Sequence, residues 1–171
     1  CTFCMFQNPE YKPREQNDFY DDTPNSGEEG WKWQQQVYDY AYAVAEKINA
    51  RSVVDAGCGS GVKLVEGFAD MTTIGMDVQP TLGWLQEQYP GRLWLESNLD
   101  DSFRPPHADM AVSSDVIEHI PNPDIYMRML RRVCAYYYIM STPDRNDFHS
   151  THKMAQDGPP DYPGHVREWT H

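Results

Sequence analysis

At 171 residues, the chain is long enough for one domain with a sizeable core. It carries 26 acidic and 14 basic residues, and the resulting net charge of −12 argues against tight binding to bulk nucleic acid. The sequence has neither a run of about 18 apolar residues nor a signal peptide, so we expect no membrane span and a cytoplasmic location.

The first 30 residues predict an irregular arm, because Pro, Asn, Asp and aromatic residues occur there without periodicity. Within this arm, Cys1 and Cys4 have the spacing of a zinc knuckle but supply only half a site, and a mobile tail is the alternative interpretation. The other two cysteines, Cys58 and Cys134, do not complete a secretory disulfide framework. This cysteine usage also fits a cytoplasmic protein.

From residue 31 onward, regular elements are expected. Apolar residues at helical spacing predict an amphipathic helix over 31–49 whose buried face comprises Trp33, Val37, Tyr40, Ala41, Val44 and Ile48. Strands are then predicted near 52–56, 73–77, 92–96, 109–113 and 135–140, and helices near 61–69, 80–88 and 122–133. This alternation implies an α/β fold with a doubly wound, mostly parallel sheet and helices on both faces.

The most informative segment is the turn after the first predicted strand. Three glycines, Gly57, Gly59 and Gly61, follow Asp55 at alternate positions and let the backbone turn sharply beside a ligand. Asp77 ends the second strand, where a carboxylate can accept hydrogen bonds from ribose hydroxyls. A dinucleotide site needs its third glycine one position later, and a P-loop needs Gly-Lys-Ser/Thr. The pattern therefore predicts a nucleoside site.

This D-x-G-C-G-x-G turn with a downstream acid resembles motif I of the class I S-adenosylmethionine-dependent methyltransferases. The resemblance implies S-adenosylmethionine as cofactor and S-adenosylhomocysteine as product. In the family, the loop after the third strand carries an Asp and a hydrophobic residue beside the adenine; here Asn98 and Leu99 occupy those places. The cofactor-binding residues expected on this basis are Asp55, Gly57, Cys58, Gly59, Asp77, Val78, Asn98, Leu99 and Ser114.

The segment 109–123 is a second match, because a strand, small residues, an acid, Glu-His and a proline-started helix surround the methyl-transfer site in many such enzymes. Asp115, Glu118 and His119 have i, i+3, i+4 spacing, which would place them on one helical face. That set looks like the metal-holding E-x-x-E-H of ubiquinone-pathway and small-RNA terminal methyltransferases, although Asp replaces the first Glu. Metal binding stays open as the alternative to structural support, which we favour, and we therefore predict no metal ligand.

The C-terminal third resembles the S-T-P-x-R … G-P-P … H-V-R-E-W run of bacterial methyltransferases linked to surface-glycan or secondary-metabolite pathways. It implies that His165 faces the acceptor pocket, where a neutral imidazole can take a proton from a hydroxyl. The alternatives are that His165 anchors the loop and that Thr170 caps a helix. Because the family's sheet ends in an antiparallel hairpin beyond His171, we expect a methyltransferase domain over 31–171 that is incomplete at its C-terminus.

The sequence thus predicts methyl transfer from S-adenosylmethionine to a small-molecule acceptor, a hydroxyl of a sugar or metabolite, with His119 or His165 as the base. A non-catalytic scaffold that only binds the cofactor is one alternative. A metal-assisted methyltransferase of RNA termini is the other, and the acidic charge balance argues against it. We expect neither bulk nucleic acid nor a membrane as a partner.

Overall fold

The computed structural model describes residues 13–14, 34–99, 106–145, 159–160, 162 and 164–169. Cys1, Cys4 and Thr170 lie outside the described residues, as does nearly all of the predicted N-terminal arm. Among the described helices, none combines the length and the apolar character that crossing a bilayer requires.

Five parallel strands form the single sheet of the described region. They are β1 (Ser52–Ala56), β2 (Thr72–Asp77), β3 (Leu93–Glu96), β4 (Ala108–Ser114) and β5 (Cys134–Ser141), in the order β3-β2-β1-β4-β5. The order reverses between β1 and β4, whose pairing places Val53 opposite Met110. In open α/β sheets of this kind, ligands bind outside the carboxyl ends of the strands at such a switch point.

Four α-helices connect or precede the strands: α1 (Gln35–Lys47), α2 (Val62–Gly67), α3 (Thr81–Gln88) and α4 (Pro123–Val133). A short 3₁₀ turn, Ile117–His119, lies between β4 and α4. Helix α4 begins with Pro123 after Asn122, whose side chain accepts a hydrogen bond from the amide of Ile125. Both residues suit a helix start. The side chain of Asn122 accepts a hydrogen bond from a free amide of the first turn, and Pro123 has no amide hydrogen that would need a partner.

The core lies on both faces of the sheet, as the period-two alternation of strand side chains requires. On one face, Val53 of β1 packs with residues of α1, α2 and α3; on the other, Val54 packs with residues of α4. Sheet and helices therefore form the doubly wound α/β architecture that the sequence predicts.

The predicted elements agree with the structure to within a few residues at their ends. The buried face of α1 is the main error: Tyr38, Ala41 and Ala45 are buried, whereas the predicted Tyr40 is 63% exposed. Tyr38 turns inward because its hydroxyl meets a buried acid, described below. Strand β5 forms one edge of the described sheet, opposite β3, and the tyrosines at 136–138 are exposed there.

Candidate active site

The glycine turn connects β1 to α2 at the switch point of the sheet. Gly57, Gly59 and Gly61 have φ values of 77°, 50° and 67°, which only glycine adopts without steric cost. A Cβ atom on Gly57 would lie 2.5 Å from Cγ2 of Val116, and one on Gly61 would lie 2.7 Å from a methyl group of Leu85. Conformation and packing therefore both require glycine at these two positions.

Asp77, the predicted ribose ligand, lies directly against this turn. Its Oδ2 accepts a hydrogen bond of 2.8 Å from the amide of Gly59, and its Oδ1 accepts one of 2.8 Å from the amide of Val78. A carboxylate has about four lone-pair sites and can accept from several donors, hydroxyl groups among them. The structure thus brings Gly59, Asp77 and Val78 together, as the sequence predicts.

Asp55 is fully buried at the end of β1. Its Oδ2 accepts a 2.9 Å hydrogen bond from the Tyr38 hydroxyl, and its Oδ1 has no hydrogen-bond partner within the described part of the chain. Burial raises the pKa of Asp55 to about 7. An unsatisfied, buried carboxyl oxygen is costly, and an ammonium group nearby would relieve that cost.

The remaining predicted cofactor residues differ in exposure. Cys58 and Leu99 are buried, Val78 is half-buried and Asn98 is exposed. Burial raises the pKa of the Cys58 thiol well above its usual value, so the thiol stays protonated at neutral pH. Asn98 and Leu99 follow β3, and their place beside an adenine stays a prediction.

At the end of β4, Ser114 and Asp115 form a polar network with β5. The hydroxyls of Ser114 and Ser141 are 2.8 Å apart, and Ser141 also donates to Asp115 Oδ1 at 2.7 Å. Gln34, just before α1, donates to the other oxygen of Asp115 at 2.9 Å. Asp115 has a φ of 53° and precedes the 3₁₀ turn. The prediction that residues 115, 118 and 119 share one helical face is therefore wrong, because Asp115 lies outside the 3₁₀ turn and outside every described helix.

Glu118 and His119 lie in the 3₁₀ turn. The buried Glu118 carboxyl accepts from the Thr142 hydroxyl through Oε2, while its Oε1 has no hydrogen-bond partner among the described residues. Burial raises the pKa of Glu118 to about 8. His119 Nδ1 lies 2.7 Å from the carbonyl oxygen of Gly164, which can only accept, so Nδ1 carries the hydrogen. Burial lowers the pKa of His119 to about 4, and its ring is neutral at pH 7.

His165 comes to the same place from the far end of the chain. Its ring packs edge-on against that of His119, with centroids 5.0 Å apart, and its Nδ1 lies 2.7 Å from Glu168 Oε1. Arg145 Nη1 is 3.5 Å from the other oxygen of Glu168. We call Glu118, His119, His165 and Glu168 the histidine cluster.

Three members of this cluster, Glu118, His119 and His165, could also hold a cation, because one potential ligand atom of each lies within 4.8 Å of those of the others. Carboxylate and imidazole groups together suit divalent transition metals. This set differs from the one weighed from the sequence, since His165 replaces Asp115.

Sequence reasoning gave no role to Tyr38, Arg145 or Glu168. Tyr38 contacts the predicted Asp55, Glu168 contacts the predicted His165, and Arg145 contacts Glu168. A signal existed for Glu168, which lies three residues after His165 in the H-V-R-E-W run. Arg145 had a signal too, as the arginine of the S-T-P-x-R run. Tyr38 had none, because only the tertiary fold places it beside Asp55.

Comparison with known proteins agrees with this architecture. A family model described as a methyltransferase domain matches residues 31–171. No curated protein sequence matches the chain.

Solved structures similar to this chain include the methyltransferase domain of bacterial CtHen1-CN, at 24% identity and a TM-score of 0.60, covering 80% of this chain and 77% of that one. The sugar N-methyltransferase KedS8 from Streptoalloteichus sp ATCC 53650 is 15% identical, with a TM-score of 0.62 and coverage of 77% and 57%. The plantazolicin methyltransferase BpumL, solved with S-adenosylhomocysteine, is 12% identical, with a TM-score of 0.58 and coverage of 76% and 55%. At these identities, the likeness shows the shared fold.

Proposed function

The chain belongs to the methyltransferase domain family and is an S-adenosylmethionine-dependent methyltransferase, and from that premise we propose that its acceptor is a hydroxyl group of a small molecule such as a sugar or metabolite. The observation that carries this proposal is the pairing of His165 with Glu168 beside the carboxyl end of β4. A histidine backed by a carboxylate is suited to remove a proton from a hydroxyl, which needs such help to act as a nucleophile.

For the cofactor, the residues around the glycine turn have the chemistry that S-adenosylmethionine requires. Asp77 offers carboxylate oxygens to the ribose. Oδ1 of Asp55, which has no hydrogen-bond partner among the residues that the structure describes, favours the ammonium end. Gly57 and Gly59 give the turn the positive φ angles that it needs beside the ligand. Cys58, Val78, Asn98, Leu99 and Ser114 complete the proposed cofactor-binding set.

Bound S-adenosylmethionine supplies an electrophilic methyl group to the acceptor. We assign the base to His165 rather than to His119. The low pKa of His119, about 4, makes its ring a weak base, whereas Nδ1 of His165 lies 2.7 Å from the Glu168 carboxyl, which orients that ring. In this reaction His165 would take the proton of the acceptor hydroxyl, and the cofactor, held by the residues around the glycine turn, would give its methyl group to the acceptor oxygen and leave as S-adenosylhomocysteine. Much of the rate of methyl transfer comes from holding the acceptor close to the cofactor and the base in the correct orientation.

An acceptor panel tests this proposal. The protein is incubated with isotopically labelled S-adenosylmethionine and matched pairs of sugars that differ only in carrying a hydroxyl or an amino group at one carbon. We expect label in the hydroxyl members as a base-stable methyl ether. Transfer only to the amino members would contradict the hydroxyl assignment; the likeness to a sugar N-methyltransferase makes that outcome the main competitor.

If no sugar in the panel is methylated, calorimetry with S-adenosylhomocysteine is the necessary control. Binding of this product without transfer to any acceptor would favour the scaffold alternative. No binding of either S-adenosylmethionine or S-adenosylhomocysteine would instead contradict the assigned cofactor residues.

A second candidate is metal-assisted methyl transfer. It is favoured by Oε1 of Glu118, which has no hydrogen-bond partner in the described part of the chain and whose carboxyl lies near two imidazoles. A cation held by Glu118, His119 and His165 would bind the acceptor hydroxyl and lower its pKa, so His165 would then be a ligand and not the base. The net charge of −12 still argues against an RNA terminus as the acceptor in that case.

Elemental analysis distinguishes the two mechanisms. The protein is dialysed against Mn²⁺ or Zn²⁺, and its metal content is compared with that of Glu118→Gln and of the exposed control Glu87→Gln. One bound ion that is lost only in Glu118→Gln, together with activity abolished by EDTA, would establish the metal mechanism. Full activity in EDTA would exclude it and support His165 as the base.

A further inference from the structure

Glu168 is a buried acid without an assigned role. Its side chain is fully shielded from solvent, with one oxygen 2.7 Å from His165 Nδ1 and the other 3.5 Å from Arg145 Nη1. Arg145 is itself 5% exposed. A buried charge is costly unless it is paired and hydrogen-bonded. Arg145 and His165 supply that pairing from two separate segments, one after β5 and one near the end of the described chain.

Backbone hydrogen bonds fix the chain around His165 and Glu168, which we call the dyad. The amides of Val166 and Arg167 donate to the carbonyl oxygen of Glu118 at 2.8 and 3.1 Å. The amide of Arg145 donates to the carbonyl oxygen of Trp169 at 2.8 Å. Since Val166 and Arg167 lie between His165 and Glu168 in sequence, these bonds hold the dyad against the 3₁₀ turn and the segment after β5. Its geometry is therefore set by tertiary contacts and not by a local helix.

The distance between His165 and Glu168 also determines which nitrogen carries the hydrogen. An ionised carboxylate only accepts hydrogen bonds, so Nδ1 of His165 must donate. A neutral His165 ring with its hydrogen on Nδ1 has its lone pair on Nε2, the atom on the far side of the ring. The other tautomer would place two lone pairs against each other inside a buried site.

We propose that Glu168 is a positioning residue, which fixes His165 in the Nδ1–H tautomer so that Nε2 accepts the proton of the acceptor hydroxyl, and that Arg145 holds the other oxygen of Glu168 in place. The positioning matters for catalysis only if His165 is the base, so this inference rests on the proposed function. When His165 takes the proton, its positive charge lies beside the Glu168 carboxylate.

Nitrogen NMR of the histidine ring tests the tautomer without any acceptor. In the wild-type protein with EDTA present, we expect the long-range ¹⁵N–¹H pattern of an Nδ1–H ring for His165 at a pH where the ring is neutral. In Glu168→Gln, whose amide can turn its NH₂ toward Nδ1, we expect loss of this preference and appearance of the Nε2–H form. Replacing the acid of a His–Asp pair by its amide is known to select the wrong tautomer.

Three outcomes would overturn the positioning role. An Nε2–H ring in the wild type would do so and needs no variant, so a Glu168→Gln protein that fails to fold still leaves a decisive measurement. A Glu168→Gln protein that folds and keeps the Nδ1–H ring would also do so. The third outcome is an unchanged turnover number in that variant.

Kinetics give the catalytic readout once hydroxyl transfer is established. We expect Glu168→Gln to lower kcat by roughly 100-fold, with KM for the acceptor unchanged, because the base is misdirected while the pocket persists. The exposed Glu87→Gln should match the wild type. If the wild type methylates no hydroxyl at all, the proposed function fails, and the NMR result still decides whether Glu168 sets the tautomer.

Discussion

The glycine turn and the histidine cluster both follow the carboxyl ends of strands in the sheet, but they are built in different ways. The turn is local: residues 55–61 and Asp77 belong to one βαβ unit, and backbone amides make its main contacts. The cluster is assembled from two distant segments, 118–119 and 165–168, and a third segment, 142–145, supplies the side chains of Thr142 and Arg145 that contact it.

This difference separates two kinds of requirement. The turn needs particular backbone conformations, which a short sequence pattern specifies. The cluster needs buried polar groups to satisfy one another, and a sequence pattern does not state which groups meet. Damage to the turn should therefore abolish cofactor binding, whereas damage to the cluster should abolish transfer and spare binding.

The largest expected effect is on turnover and comes from the cluster. His165→Gln should lower kcat by about 100- to 10,000-fold, because a positioned general base contributes that much. Affinity for S-adenosylhomocysteine should stay within about twofold of the wild type. The measurements are steady-state methyl transfer and calorimetry, and the exposed His107→Gln is the matched control. Equal losses of turnover and cofactor affinity would show that the two regions do not act separately.

Gly57→Ala tests the turn. A methyl group there would lie 2.5 Å from Val116 and would occupy a residue with a φ of 77°, so we expect a loss of about 2 to 4 kcal/mol in unfolding free energy. Binding of S-adenosylhomocysteine should fall below detection. Gly91→Ala is the control, because nothing lies within 4 Å of a Cβ atom at that position. Thermal unfolding and calorimetry that place both variants at wild-type level would refute the steric account.

Asp55→Asn should make stability less dependent on pH. Burial raises the pKa of Asp55 from 3.8 to about 7, so the folded state binds more protons than the unfolded state between these values. The stabilisation from the protonated acid is complete below pH 3.8 and is lost as the pH rises through 7. Relative to the variant, the wild type should lose on the order of 4 kcal/mol between pH 4 and pH 8.

Urea unfolding across this pH range measures the effect. Asp109→Asn is an informative comparison, because backbone hydrogen bonds from the amide of Arg51 lower the pKa of Asp109. The stabilisation from Asp109 is present above pH 3.8 and lost below it, so the Asp109→Asn difference should be flat between pH 4.5 and pH 8. A flat Asp55→Asn difference over the same range would contradict the raised pKa of Asp55.

The smallest expected effect comes from Asp77→Asn. A hydrogen bond to a charged group is worth about 1.5 to 3 kcal/mol, so the affinity for S-adenosylhomocysteine should fall by roughly 10- to 100-fold. Because Asn retains an acceptor oxygen for the amide of Gly59, the turn itself should persist. The exposed Asp70→Asn should bind as the wild type does. Unchanged affinity in Asp77→Asn would remove this acid from the ribose site.

Most of the fold could be predicted from the sequence, because the spacing of apolar residues and the turn residues specify helices, strands and turns within short stretches of chain. The pattern of strand β1 places its end at Ala56, as observed, and the helix predicted at 122–133 is observed as Pro123–Val133. The buried face of α1 was not predictable in this way. Tyr38 is buried because its hydroxyl donates a hydrogen bond to Asp55, and the periodicity of a helix does not predict a contact with a residue in a strand.

The sequence by itself determined the glycine turn, its acid Asp77 and the order of the elements, since each depends on residues close together in the chain. Only the tertiary structure decided that His165 joins Glu118 and His119 while Asp115 bonds elsewhere. The physical reason is that buried polar groups must find partners wherever the folded chain brings them, and those partners lie in segments far apart in sequence.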